Sequence, residues 1–158
     1  MTRVFVYGTL KRGGALHSPL DKSKFLGCAR LRGYAMLHLG AFPGIVPSDE
    51  EASVPKEKDF VYGEVFEVTD EVLDALDQIE GAPTLYRRNV VRVEPDAETG
   101  AEAYDGDGFV ETYIYNCSRL ALLDSDIAGY DRVASGRWTI PASACFTVEV
   151  EDLEENDR

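Results

Sequence analysis

One stretch of this chain, TDEVLDALDQIEG from Thr69 to Gly81, carries a helical period, and it stands among runs that alternate every second residue. That imbalance restricts the fold more than any other feature. Residues 3–7, 34–39, 60–68, 86–94, 109–116 and 144–151 read as strands, because β-branched and aromatic residues in alternation cover a pleated, half-buried surface. On residues 60–68, Val61, Gly63, Val65 and Glu67 fall on one face. Between these runs lie a mixed segment at 25–34, a Pro/Gly-punctuated loop at 40–50 and a solvated turn at 48–59. An acidic hairpin connection follows at 95–108, and 118–141 has room for a short helical piece. A regular strand–helix–strand alternation is missing, which argues against a doubly wound parallel sheet. The pattern predicts an α+β domain whose mixed or antiparallel sheet can curl into a small barrel.

A chain of 158 residues with 44% hydrophobic residues has the material for one packed domain. Its formal net charge of −13 argues against a nucleic-acid groove, which needs a basic stripe. An acidic surface of this kind suits a high-salt cytoplasm. No apolar run approaches the ~18 residues of a membrane span. MTRVFVYG lacks the apolar core and cleavage site of a secretory leader, so the cytoplasm is the expected location. Cys28, Cys117 and Cys145 are far apart and read as free thiols. With His17 and His38 as the only histidines, no pair has metal-ligand spacing, and no metal is expected.

The helix holds one residue at odds with its pattern. At about 100° per residue, Val72, Leu73, Leu76 and Ile79 form an apolar arc, with Asp77 at its border. Glu80, four residues after Leu76 and seven after Leu73, falls on that same inward face. A carboxyl buried at a helix C-terminus has its charged form disfavoured twice, by desolvation and by the negative end of the dipole. Its raised pKa is what a general acid/base near neutral pH requires. The alternative is a frayed last turn in which Glu80 turns to solvent or pairs with Arg87 or Arg88. The first strand supplies a complementary feature. Past its end, Gly8 leaves the N–H groups of Gly8, Thr9 and Leu10 able to face an anion with no Cβ in the way, although a simple strand-to-loop turn has the same residues. A phosphate-binding P-loop does not fit, since Lys11 precedes the glycine pair Gly13–Gly14.

Taken in order, VYGTLKRG, FPGIV, VYGEVFEV, LDALDQIEG followed by YRR, and SGRWTIP resemble the γ-glutamylcyclotransferase-like family, which includes the γ-glutamylamine cyclotransferases. The resemblance spans Val4 to about Pro141 and implies a domain over 1–141, with 142–158 as an extension ending in an acidic, mobile tail. It implies a mixed, barrel-like β-sheet with few flanking helices and a pocket at one mouth. It makes Glu80 the catalytic acid/base and Tyr7, Gly8, Thr9 and Leu10 the loop that holds a γ-glutamyl group, with Phe42 to Val46 along the pocket wall. Tyr113 and Tyr115, on one strand face, are candidates for a hydroxyl or for core packing. The implied reaction releases 5-oxoproline and needs no cofactor. The implied partner is a small γ-glutamyl molecule, with the leaving amine and the oligomeric state left open. A non-catalytic binding or interaction module of the same fold is the rival reading.

Overall fold

The alternating runs assemble into two sheets. The computed structural model describes residues 1–39, 42–47, 59–106, 108–115 and 131–139. In the larger sheet, β1 (Thr2–Val6) is flanked by antiparallel β5 (Phe60–Val68) and parallel β8 (Phe109–Tyr115). Beyond β5 lie β2 (Lys24–Arg32) and the short β7 (Glu94–Pro95), and beyond β8 lies β6 (Tyr86–Arg92), giving the order β6-β8-β1-β5-β2-β7. The smaller sheet has the order β4-β3-β9, formed by β4 (Pro43–Pro47), β3 (Tyr34–His38) and β9 (Asp131–Arg132).

Two cores result, one on each face of β1. Val4, Val6, Phe66 and Val68 face one way and pack with Leu20 and with Leu73 and Leu76 of helix α1 (Asp70–Glu80). Phe5, Val61, Val65, Val110 and Ile114 face the other way and meet Met36 and Ile45 of the smaller sheet. The barrel-like enclosure is this second core, wrapped by both sheets. The expected α+β class with a mixed sheet and few helices is therefore the observed one.

Strands β2, β4, β7 and β9 lie wholly or partly where the sequence reads otherwise. β2 occupies the mixed segment, where a register shift against β5 between Phe25 and Gly27 breaks the alternation that would reveal it. β4 occupies the Pro/Gly loop, because an edge strand tolerates the missing N–H of Pro43 and Pro47 at its ends. The acidic connection holds β7 and a 3-10 stretch, Ala97–Glu102. At 131–132 the chain is strand β9. The solvated turn at 48–58, most of the 118–141 segment, the strand at 144–151, Cys117, Cys145 and the 141/142 boundary lie outside the described residues. Cys28 is a buried free thiol. Among the described residues, no helix is long and apolar enough to cross a membrane.

Helix α1 has defined ends. The Thr69 Oγ1 accepts from the Val72 N–H at 3.3 Å, and Asp70 and Glu71 occupy the first turn, where the dipole favours acids. At the other end Gly81 takes φ +65°, while Ala82 N–H reaches Asp77 O at 2.9 Å and Gly81 N–H reaches Gln78 O at 3.2 Å. This doubly bonded termination stops the helix directly after Glu80 instead of letting it fray.

Candidate active site

The C-terminal turn of α1, the loop after β1, the start of β4 and the start of β6 enclose a pocket of about 190 Å³. That is below the ~300–1,000 Å³ usual for drug-sized ligands, so the guest is small. All five residues singled out in the sequence, Tyr7, Gly8, Thr9, Leu10 and Glu80, line it. Of the Phe42–Val46 wall, Phe42 and Pro43 take part, whereas Ile45 belongs to the core between the sheets. Ile79 is a second departure: placed by the wheel on the buried arc, it is 39% exposed and lines this pocket.

The loop is closed by its own carbonyls. Lys11 N–H bonds Gly8 O at 3.0 Å and Leu16 N–H bonds Thr9 O at 3.0 Å. The His17 Nδ1 sits 2.8 Å from Leu10 O and, as donor, pins that carbonyl. The N–H groups of Gly8, Thr9 and Leu10 themselves make no backbone hydrogen bond among the described residues. Their residues line the pocket, which makes these N–H groups candidate donors to an anion there.

Glu80 makes no hydrogen bond or ion pair to another described residue. The pairing with Arg88 does not occur, because Arg88 is held elsewhere: its Nε and Nη2 donate to the Asp77 carboxylate at 2.9 and 3.1 Å, and its Nη1 donates to Glu111. Arg87 Nε is buried with no partner. Burial pushes the Glu80 carboxyl up from 4.5 to about 7. Around it stand Tyr7, Tyr86 and Tyr113, all driven upward in pKa by burial first and then by neighbours that include Glu80. Each is a neutral hydroxyl whose proton is committed: Tyr7 to Tyr113 O at 2.7 Å, Tyr86 to Pro43 O at 2.8 Å, Tyr113 to Asp77 Oδ1 at 2.6 Å. The rings desolvate Glu80 while no hydroxyl bonds it, so its oxygens are left for a guest. Tyr115 packs edge-on against Tyr86, with ring centroids 5.5 Å apart, and is core.

Sequence reasoning missed Leu16, Leu85 and Tyr86 as lining residues. Tyr86 carries a readable signal, standing at the head of the strand that follows the helix-ending glycine. Leu16 carries none, since only the fold of the loop brings it back.

Comparison with known proteins identifies the family. Residues 4–140 match the family described as gamma-glutamyl cyclotransferase, AIG2-like. The chain is 33% identical over 126 residues to the gamma-glutamylaminecyclotransferase of Rattus norvegicus, covering 77% of this chain and 81% of that one. It is 38% identical over 89 residues to a putative gamma-glutamylcyclotransferase of Vibrio cholerae, covering 56% and 70%. Among solved structures, an AIG2-like protein from Mus musculus superposes with a TM-score of 0.58 at 28% identity, covering 73% of this chain and 78% of that one. An uncharacterized protein from Pyrococcus horikoshii superposes with a TM-score of 0.56 at 26% identity, covering 87% and 89%. The chain belongs to the gamma-glutamyl cyclotransferase, AIG2-like family, and is a gamma-glutamylcyclotransferase-type enzyme.

Proposed function

We propose that this protein cleaves γ-glutamyl amides by intramolecular attack, releasing 5-oxoproline and an amine or amino acid. The substrate's α-carboxylate accepts hydrogen bonds from the free N–H groups at Gly8, Thr9 and Leu10. Its α-ammonium then faces Glu80, whose carboxylate takes one proton. The freed α-nitrogen attacks the γ-carbonyl carbon, a C–N bond closes the five-membered ring, and the amide C–N bond breaks. Glu80 returns the proton to the departing nitrogen, and the second proton shed by the ring nitrogen leaves with the released amine as its ammonium. Neither water nor a redox partner is consumed, and the substrate supplies its own nucleophile. A carboxyl titrating near neutrality suits both proton transfers. Fixing the α-carboxylate brings amine and carbonyl together, an advantage of roughly several kcal/mol.

The observation that carries this reading is that one small pocket is lined by a desolvated carboxyl and by three residues whose N–H groups, like that carboxyl, make no hydrogen bond among the described residues. The test is product analysis by mass spectrometry. A γ-glutamyl amide should yield 5-oxoproline, and its N-acetyl derivative should not react because its nitrogen is no longer nucleophilic. Free glutamate, or cleavage of the acetylated compound, would identify a hydrolytic amidase instead. Tight binding of the amides without any turnover would favour the binding-module reading.

A further inference from the structure

Neither Gly14 nor His17 lines the Glu80 pocket, yet both hold the loop that carries Gly8, Thr9 and Leu10. The chain folds back so tightly that a Cβ on Gly14 would stand 2.2 Å from Thr9 O and 2.9 Å from Lys11 O. That close approach lets Leu16 N–H reach Thr9 O at 3.0 Å and brings His17 beside Leu10. His17 is itself fixed on several sides. Its N–H bonds Gly14 O at 3.2 Å, its carbonyl accepts from Leu20 N–H at 2.8 Å, and Pro19 stands in the 3-10 turn Ser18–Leu20 that follows. Its ring centroid lies 5.6 Å from that of Phe66, and Nε2 is 3.7 Å from Asp21 Oδ1.

A carbonyl can only accept, so Nδ1 is the donor in the 2.8 Å contact with Leu10 O. A trans peptide unit is planar, with its C=O and N–H pointing opposite ways. Holding Leu10 O therefore aims the Lys11 N–H away from the ring, and that N–H bonds Gly8 O at 3.0 Å. Holding Gly8 O in turn aims the Thr9 N–H, at the far end of the row. Thr9 lines the pocket, and its N–H has no partner among the described residues. The row thus runs from the imidazole through two peptide units to an open donor, and each bond polarises the next. We infer that His17 is a positioning residue for the Thr9 N–H, fixing the direction in which that donor meets the substrate's α-carboxylate. The inference rests on the cyclotransferase reading, which gives the loop amides a carboxylate to hold. His17 lies outside the pocket lining and acts through the loop. Leu10 is buried, so its carbonyl, deprived of the imidazole, must turn towards water, and the row turns with it.

Two substitutions separate the donor from the ring. His17→Asn keeps an N–H where Nδ1 stands and loses the ring against Phe66, whereas His17→Phe keeps a ring and loses the donor. Steady-state kinetics with γ-glutamyl methylamide, reading 5-oxoproline, and melting temperatures are measured for the parent and both variants. His17→Phe should raise KM about ten-fold with kcat within about two-fold, since the carboxylate is held alike in the ground and transition states. His17→Asn should keep KM within about two-fold of the parent even where its melting temperature falls. A raised KM in His17→Asn, or an unchanged KM in His17→Phe, means that the ring serves packing alone. Either result, with 5-oxoproline still released, overturns this inference and leaves the cyclotransferase standing. If the parent releases no 5-oxoproline, that reading falls, and the same ranking is read as Kd for the amide by titration calorimetry. A weaker Kd in His17→Phe alone then upholds the positioning role, whereas equal affinities, or no binding by the parent, overturn it.

Discussion

Glu80 is ionised at a cost, and that cost can be measured apart from activity. Its carboxyl titrates at about 7 in the folded protein against 4.5 ordinarily, raised by burial. Between those values the folded state holds the proton more tightly than the unfolded chain. Stability contributed by this group is therefore complete below about pH 4.5 and falls as pH rises to about 7. Glu80→Gln removes the titration while keeping the shape. The variant should match the parent's melting temperature near pH 4 and exceed it near pH 8, as read by calorimetry at both pH values. An equal difference at both would mean that Glu80 is not desolvated in the fold. In turnover the same substitution should lower kcat by about 10²–10⁴-fold with substrate affinity kept, since an amide cannot accept the proton. The parent's rate should climb as pH passes through about 7, where the base form appears.

At the scale of elements, the last turn of α1 is clamped to the sheet by a chain of polar contacts. Tyr113 of β8 donates to Asp77, Arg88 of β6 forks onto the same carboxylate, and Glu111 of β8 takes the other side of the guanidinium. Asp77 lies three residues before Glu80, so the clamp sets where the Glu80 carboxyl stands. Asp77→Asn removes the charge that Arg88 grips and should cost about 1–2 kcal/mol, the lower part of the range for charge-assisted bonds because the pair is partly exposed. The decisive readout is the pH–rate profile: with the turn loosened, Glu80 gains water and its midpoint should move below 7. A pure stability effect would leave the midpoint in place. This helix was legible from sequence because its caps, period and stop signal agree, and Glu80 stood out as a charge on the wrong face. Ile79 was not legible: the wheel assumes a neighbour along the whole arc, whereas the packing ends at Leu76 and leaves the last turn over the pocket. β2 and β4 were hidden for different reasons, one by a shift of register and the other by prolines that only an edge strand accepts.

Over the whole molecule, the pocket takes lining from both sheets, and Pro43 is one of the residues that join them. Its carbonyl, on β4 of the smaller sheet, accepts the Tyr86 hydroxyl from β6 of the larger one. Its ring lies against Gly8, where β1 leaves the larger sheet: a Cβ on Gly8 would stand 2.6 Å from Pro43 Cγ and 2.8 Å from Cδ. The sequence alone offers ligand approach or a plain strand-to-loop turn as the reason for a bare backbone at Gly8; the fold adds the approach of the second sheet. Gly8→Ala should therefore destabilise by about 1–3 kcal/mol through overpacking. Pro43→Ala removes both ring atoms that the new methyl would strike, so the double variant should be less destabilised than the sum of the singles, with a coupling of about 0.5–3 kcal/mol. Chemical denaturation of the four proteins gives the cycle. Additive losses would show that Gly8 does not meet Pro43 and that its bareness serves the ligand alone. Substrate affinity is the second readout, because the Gly8–Pro43 contact lies in the pocket lining. Relief of the clash in the double variant should restore binding together with stability.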